Sequence, residues 1–130
     1  MRGVTYIDDS KGTNVGATLA AVSGMDGPLV LIAGGEGKNQ DFTPLAAALR
    51  GKARHVVLIG RDAERIARAI HGVCASETCA SMRAAVAAAA RAAAPGDTVL
   101  LSPACASLDM FRDYAHRGES FAQAVRELPA

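Results

Sequence analysis

Short runs of branched aliphatic residues alternate with longer stretches of helical spacing over the whole chain, and no other feature restricts its fold as strongly. Strand-like runs fall at 4–7, 29–33, 56–59 and 98–101, with a weaker one at 73–75. Leu29-Val30-Leu31-Ile32-Ala33 contains no polar residue, the pattern of a parallel strand covered on both faces. Helical spacing fills 14–23, stopped by Gly24, then 41–49, with Thr43 as cap and Pro44 in the first turn, then 63–71. The clearest helix spans 81–94 behind the cap residue Ser81, and two more are expected at 111–116 and 120–128, separated by Arg117-Gly118. This order predicts one α/β domain over residues 1–130: a Rossmann-like, three-layer α/β/α arrangement with a mostly parallel sheet of about six strands.

Composition narrows the class. Half of the 130 residues are hydrophobic and Trp is absent, so a core of Val, Leu, Ile and Ala is expected. A formal net charge of +1, with Arg residues spread beside acids, excludes the dense basic face of a nucleic-acid binder. No apolar run approaches the ~20 residues needed to span a bilayer. Three cysteines, Cys74, Cys79 and Cys105, form neither a disulfide framework nor a zinc pattern, which points to a reducing, cytoplasmic setting and no metal site. No leader precedes Gly3, so a secretory signal is not expected. The abrupt start in a strand favours a domain with a partner upstream.

Ligands in such a sheet gather at the carboxyl ends of the strands, where three loops carry unusual residues. Asp8-Asp9-Ser10-Lys11-Gly12-Thr13-Asn14 sets a lysine, hydroxyls and a glycine at a helix N-terminus, a place that favours an anion, although a capped surface turn with Asp9 paired to Lys11 has the same composition. Gly34-Gly35-Glu36-Gly37-Lys38 permits close backbone approach or positive φ, and Lys38 supplies a point charge for a carboxylate. It is not a Walker loop: Ile32 stands where that motif needs glycine, and Asn39 follows the lysine. The third loop, Leu101-Ser102-Pro103-Ala104-Cys105-Ala106-Ser107-Leu108-Asp109, combines small residues with hydroxyls after a buried strand. It lacks the Gly-x-Ser-x-Gly elbow, and no histidine is obviously placed as base, so Cys105 reads as a buried structural thiol.

Together, Tyr6-Ile7-Asp8-Asp9-Ser10-Lys11-Gly12-Thr13-Asn14, Gly34-Gly35-Glu36-Gly37-Lys38 with Asp41-Phe42, and the segment 101–109 with Phe111 resemble the C-terminal domain of the Mur ligases, on the branch that adds D-glutamate. The Asp-Asn-Pro-Arg signature of the diaminopimelate-adding branch is absent. The resemblance implies a three-domain parent of peptidoglycan biosynthesis. Its first domain would hold UDP-N-acetylmuramoyl-L-alanine, its central domain ATP and Mg2+, and its third D-glutamate. The implied reaction is ATP-dependent amide formation through an acyl phosphate. By the same resemblance Lys38, Thr13, Ser107 and Leu108 hold D-glutamate, Phe111 or Tyr114 supplies an aromatic ring, and Asp9 and Lys11 reach the nucleotide when the domains close. It assigns no catalytic residue to this domain. A cytoplasmic monomer follows, inactive as a 130-residue piece.

Two other readings use the same loops. One is a free-standing Rossmann-like module for an anionic metabolite. The other is a small hydrolase with Ser107 or Cys105 as nucleophile.

Overall fold

The computed structural model describes residues 3–37, 39–107 and 110–129. Among these residues ten elements alternate: β1 (Thr5–Asp8), α1 (Val15–Ser23), β2 (Leu29–Gly34), α2 (Thr43–Leu49), β3 (Ala53–Ile59), α3 (Ala63–Ala69), β4 (Ser76–Thr78), α4 (Met82–Ala92), β5 (Thr98–Leu101) and α5 (Tyr114–Arg126). The five strands form one sheet in the order β1-β5-β2-β3-β4, and every pairing is parallel. The expected α/β/α sandwich is therefore present, with five strands among the described residues instead of about six.

Period-two alternation divides the core between the two faces of the sheet. Leu29, Leu31, Ala33, Val56, Leu58 and Leu100 pack with α1, α2 and α3. Val30, Ile32, Val57, Ile59, Val99 and Leu101 pack with α4 and α5. All six residues of β2 are buried, as an apolar run between two helical layers requires. Each fully buried aliphatic side chain contributes about 1.5–3 kcal/mol of transfer free energy.

Local chemistry sets the helix starts. The side chains of Asn14, Ser81 and Asp113 accept hydrogen bonds from Ala17 N (2.8 Å), Ala84 N (3.1 Å) and His116 N (2.8 Å). Thr43 is not a cap. It is already helical, and the Asp41 carboxylate takes both its N–H (3.0 Å) and its hydroxyl (2.7 Å).

Two elements differ from the sequence expectation. The fourth strand lies at Ser76–Thr78, not 73–75. Val73 and Cys74 turn toward the core, while the exposed residues that follow pair with Val56–Leu58 at the sheet edge, where a strand needs no apolar signal. The last two helices are one, because α5 runs straight through Arg117-Gly118. Gly118 does not break it. A Cβ there would lie 2.6 Å from Asp8 Oδ2, so the missing side chain lets α5 lie against the end of β1. Arg117 is buried, 1% exposed, on the same stripe as Phe121 and Ala124.

Candidate functional site at the carboxyl rim of the sheet

The topology creates a crevice at a definite place. Chains leaving β1 and β2 turn to the face of α1 and α2, whereas the chain leaving β5, which lies between them, turns to the face of α5. Adjacent strands whose connections part in this way leave room at their carboxyl ends. The described parts of the loops, 9–14, 35–37 with 39–42, and 102–107 with 110–113, surround that room, so the described parts of the three sequence motifs meet at one rim.

Hydrogen bonds knit the loops together. Asp9 N donates to Leu101 O (2.7 Å), and Ala104 N donates to Gly12 O (2.8 Å). Glu36 and Ala106 exchange two backbone bonds, of 3.0 and 2.9 Å, in an isolated antiparallel bridge. Gly35 is needed beside that bridge: its φ is +128°, and a Cβ would meet Ala106 O at 2.5 Å. This glycine brings loop against loop. Ala104 takes φ +64°, a left-handed conformation that costs an alanine about 1–2 kcal/mol, and it is fully buried.

The predicted residues divide as follows. The Asp9 carboxylate does not pair with Lys11; it accepts from the Ser102 hydroxyl (2.8 Å), which in turn lies 3.0 Å from Thr18 Oγ1. Lys11 is exposed beside it, and Thr13 follows Gly12, half-buried. Ser107 is 4% exposed, and its carbonyl accepts from Met110 N (3.1 Å) and Phe111 N (2.9 Å), turning the chain toward α5. Its hydroxyl has no hydrogen-bond partner among the described residues. Lys38 and Leu108 lie outside the described residues.

The two aromatic candidates separate clearly. Phe111 sets its ring edge-on against His116 (centroids 5.4 Å apart, 83° between planes) and packs against the core below α4 and α5. Tyr114, in the first turn of α5, is 45% exposed, and its carbonyl accepts from the Ser10 hydroxyl of the first loop. Tyr114 is thus the more open of the two, with its backbone tied to the first loop.

Two residues that sequence reading missed hold the rim. Arg117 donates to Ser10 Oγ (3.1 Å), Ser10 O (2.8 Å) and Cys105 O (2.9 Å), tying the first loop to the third. Its position four before Phe121 was the available signal. Gln40 reaches both neighbouring loops, and nothing in the sequence marks it. Asp62 and Arg65 brace the second loop from behind. Asp62 accepts from Gly37 N (2.6 Å), and Arg65 donates to Gln40 O (2.7 Å) while covering the Phe42 ring at 5.0 Å.

Among its described residues the rim gathers hydroxyls, backbone N–H groups and the exposed Lys11. Cys105 is fully buried, His55 bonds Glu77 (2.8 Å), and His116 accepts from Arg112 N (3.0 Å). Burial also raises the Cys74 and Cys79 thiols. Among the described residues no cluster of three or more His, Cys, Asp or Glu could hold a metal ion, and no helix is long and apolar enough to cross a membrane. A groove of about 500 Å³ lies elsewhere, lined by Val4, Tyr6, Ala87, Ala90 and Leu128 among others, and it includes no residue of the rim.

The chain is similar to known proteins over nearly all its length. The family model described as "Mur ligase, glutamate ligase domain" matches residues 1–105. A UDP-N-acetylmuramoylalanine--D-glutamate ligase of Aromatoleum aromaticum is 63% identical over 128 residues, covering 98% of this chain and 28% of the relative. Proteins of the same description from Cupriavidus pinatubonensis and Bordetella pertussis are 62% and 61% identical, each over 96% of this chain and 25% of their own length. The chain thus spans about a quarter of the curated relatives it matches.

Proposed function

We propose, on the premise that this chain belongs to the Mur ligase family through its glutamate ligase domain, that it is the C-terminal domain of a ligase joining D-glutamate to UDP-N-acetylmuramoyl-L-alanine in peptidoglycan biosynthesis. The observation that carries this reading is the binding of the first loop to the third, which brings the loop of Thr13 beside that of the buried Ser107 at one rim. D-glutamate brings two carboxylates. Hydroxyl donors from Thr13 and Ser107 and the charge of Lys38 would bind them, and charge-assisted bonds of this kind are the strong ones. Leu108 would add its backbone, and the Tyr114 ring, in preference to Phe111, would cover the ligand.

In this reading the domain's work is to bind and orient. It holds the amino acid by its carboxylates so that the amine is free to attack the activated carboxylate of the nucleotide substrate. ATP with Mg2+ supplies that activation, through an acyl phosphate. The rim has no Walker loop and no metal-binding cluster among its described residues, so both would be held mainly by other domains of the same cytoplasmic, monomeric enzyme. Asp9, fixed by Ser102, and Lys11 would face the nucleotide when the domains close. One wall of a closed site supplies only part of the binding energy, so the 130-residue chain alone would bind weakly and not turn over.

The test is phosphate release and amide formation by the full-length enzyme carrying this domain, with ATP, the nucleotide substrate and single amino acids. Turnover with D-glutamate, and not with L-glutamate or diaminopimelate, is expected. Turnover with another amino acid and none with D-glutamate would sink the assignment.

A further inference from the structure

Gln40 stands outside every motif of the rim, yet its side chain lies where the three loops meet. Its Oε1 accepts from Val15 N (2.8 Å), the first N–H of α1 and two residues beyond Thr13. Its Nε2 donates to Gly37 O (2.9 Å) in its own loop and to Ala104 O (3.0 Å) in the third loop, three residues before Ser107. The orientation of the amide is not arbitrary. An N–H can face only an acceptor, and two carbonyls can face only donors, so all three partners demand the same placement of oxygen and nitrogen. No other side chain of this length meets that demand. Glutamate would set an acceptor against two carbonyl oxygens. Leucine, of similar size, would leave the Val15 N–H and the Ala104 carbonyl without partners, while Gly37 O would keep only the backbone N–H of residue 40 (3.1 Å).

The third loop needs this hold. Ala104 is kept in a left-handed conformation with its N–H on Gly12 O and its C=O on the Gln40 amide, so both of its polar groups are spent on neighbouring loops. We infer that Gln40 is a positioning residue for the amino-acid substrate, locking the loops that carry Thr13 and Ser107 to each other and to Gly37. The substrate in this statement rests on the D-glutamate reading above; the locking rests on the hydrogen bonds alone.

Two measurements separate these parts. In the 130-residue chain, Gln40→Leu and Gln40→Glu should each speed amide exchange at Val15, Ala104 and Ala106 by about tenfold or more while leaving Leu31 and Val57 within about twofold. Unchanged exchange at the loop amides in both variants would overturn the locking. In the full-length enzyme both variants should raise KM for D-glutamate by about tenfold, with KM for ATP and kcat within about twofold, because a displaced donor weakens the ligand it was placed to meet. Faster loop exchange with an unmoved KM for D-glutamate would overturn the positioning role. An equal rise in both KM values would overturn it too. Should the unaltered enzyme ignore D-glutamate, the substrate assignment fails, and the exchange result still decides the locking.

Discussion

Arg117 Nη2 donates to the carbonyl of Ser10 at 2.8 Å, although 107 positions separate the two residues. The same guanidinium holds the Cys105 carbonyl at 2.9 Å, so one buried side chain in the last helix shapes the first and third loops together. Replacing it with methionine keeps apolar volume and removes the donors. Arg117→Met should cost about 2–3 kcal/mol of stability, since buried carbonyls lose charged partners. Urea unfolding measures this directly, and a loss below about 0.5 kcal/mol would show that the bonds matter little.

Ser107→Ala should separate stability from binding. Its hydroxyl has no partner among the described residues, so its removal should leave unfolding free energy within about 0.5 kcal/mol, or raise it slightly. KM for D-glutamate in the full-length enzyme should rise by roughly tenfold. A variant that loses stability instead would place the hydroxyl in the fold and not in the site.

Lys38→Ala should weaken D-glutamate use on the order of 10- to 100-fold, the worth of a charge-assisted bond, and leave ATP use nearly unchanged. Steady-state kinetics with each substrate varied in turn gives the answer. A D-glutamate requirement equal to that of the unaltered enzyme counts against the assignment.

At the other end of the sheet, Arg54 grips Asp97 through Nε and through Nη2 (3.2 Å), and Asp97 is buried while Arg54 is partly exposed. The hydrogen bond from Arg54 holds the Asp97 carboxyl below its ordinary 3.8, against the opposing effect of burial and with help from Ala94 N. A carboxyl lowered by folding stabilises the fold above 3.8, and that contribution is lost as pH falls from about 4 through the lowered value. Thermal unfolding should therefore show Asp97→Asn less stable than the parent at pH 7 and closer to it in acid. Parallel curves across that window would remove Asp97 from the account.

The rim was legible from sequence where chemistry and local geometry coincide. Glycine, lysine and hydroxyl residues directly after apolar runs mark the carboxyl ends of parallel strands, and those loops did converge. Phe111 and Tyr114 were not separable, since only packing shows that Phe111 turns to His116 while Tyr114 stays open. Arg117 looked like a solvated break between two helices because charge and glycine are surface signals in one dimension. Gln40 gave no signal at all, since an amide acquires meaning only from the donors and acceptors around it.

The amino-acid order by itself determined the layers, the parallel sheet and the members of the core, because alternation and helical period are set by neighbours a few positions away. It also placed Thr13 and Ser107 at strand ends. Only the tertiary structure decided that β5 sits between β1 and β2, that α5 closes as one helix over Gly118, and that Arg117 and Gln40 bind the loops to one another. Those are partnerships across tens of residues. They depend on where the chain returns in space, which the burial of two opposite faces of one sheet enforces and no local pattern records.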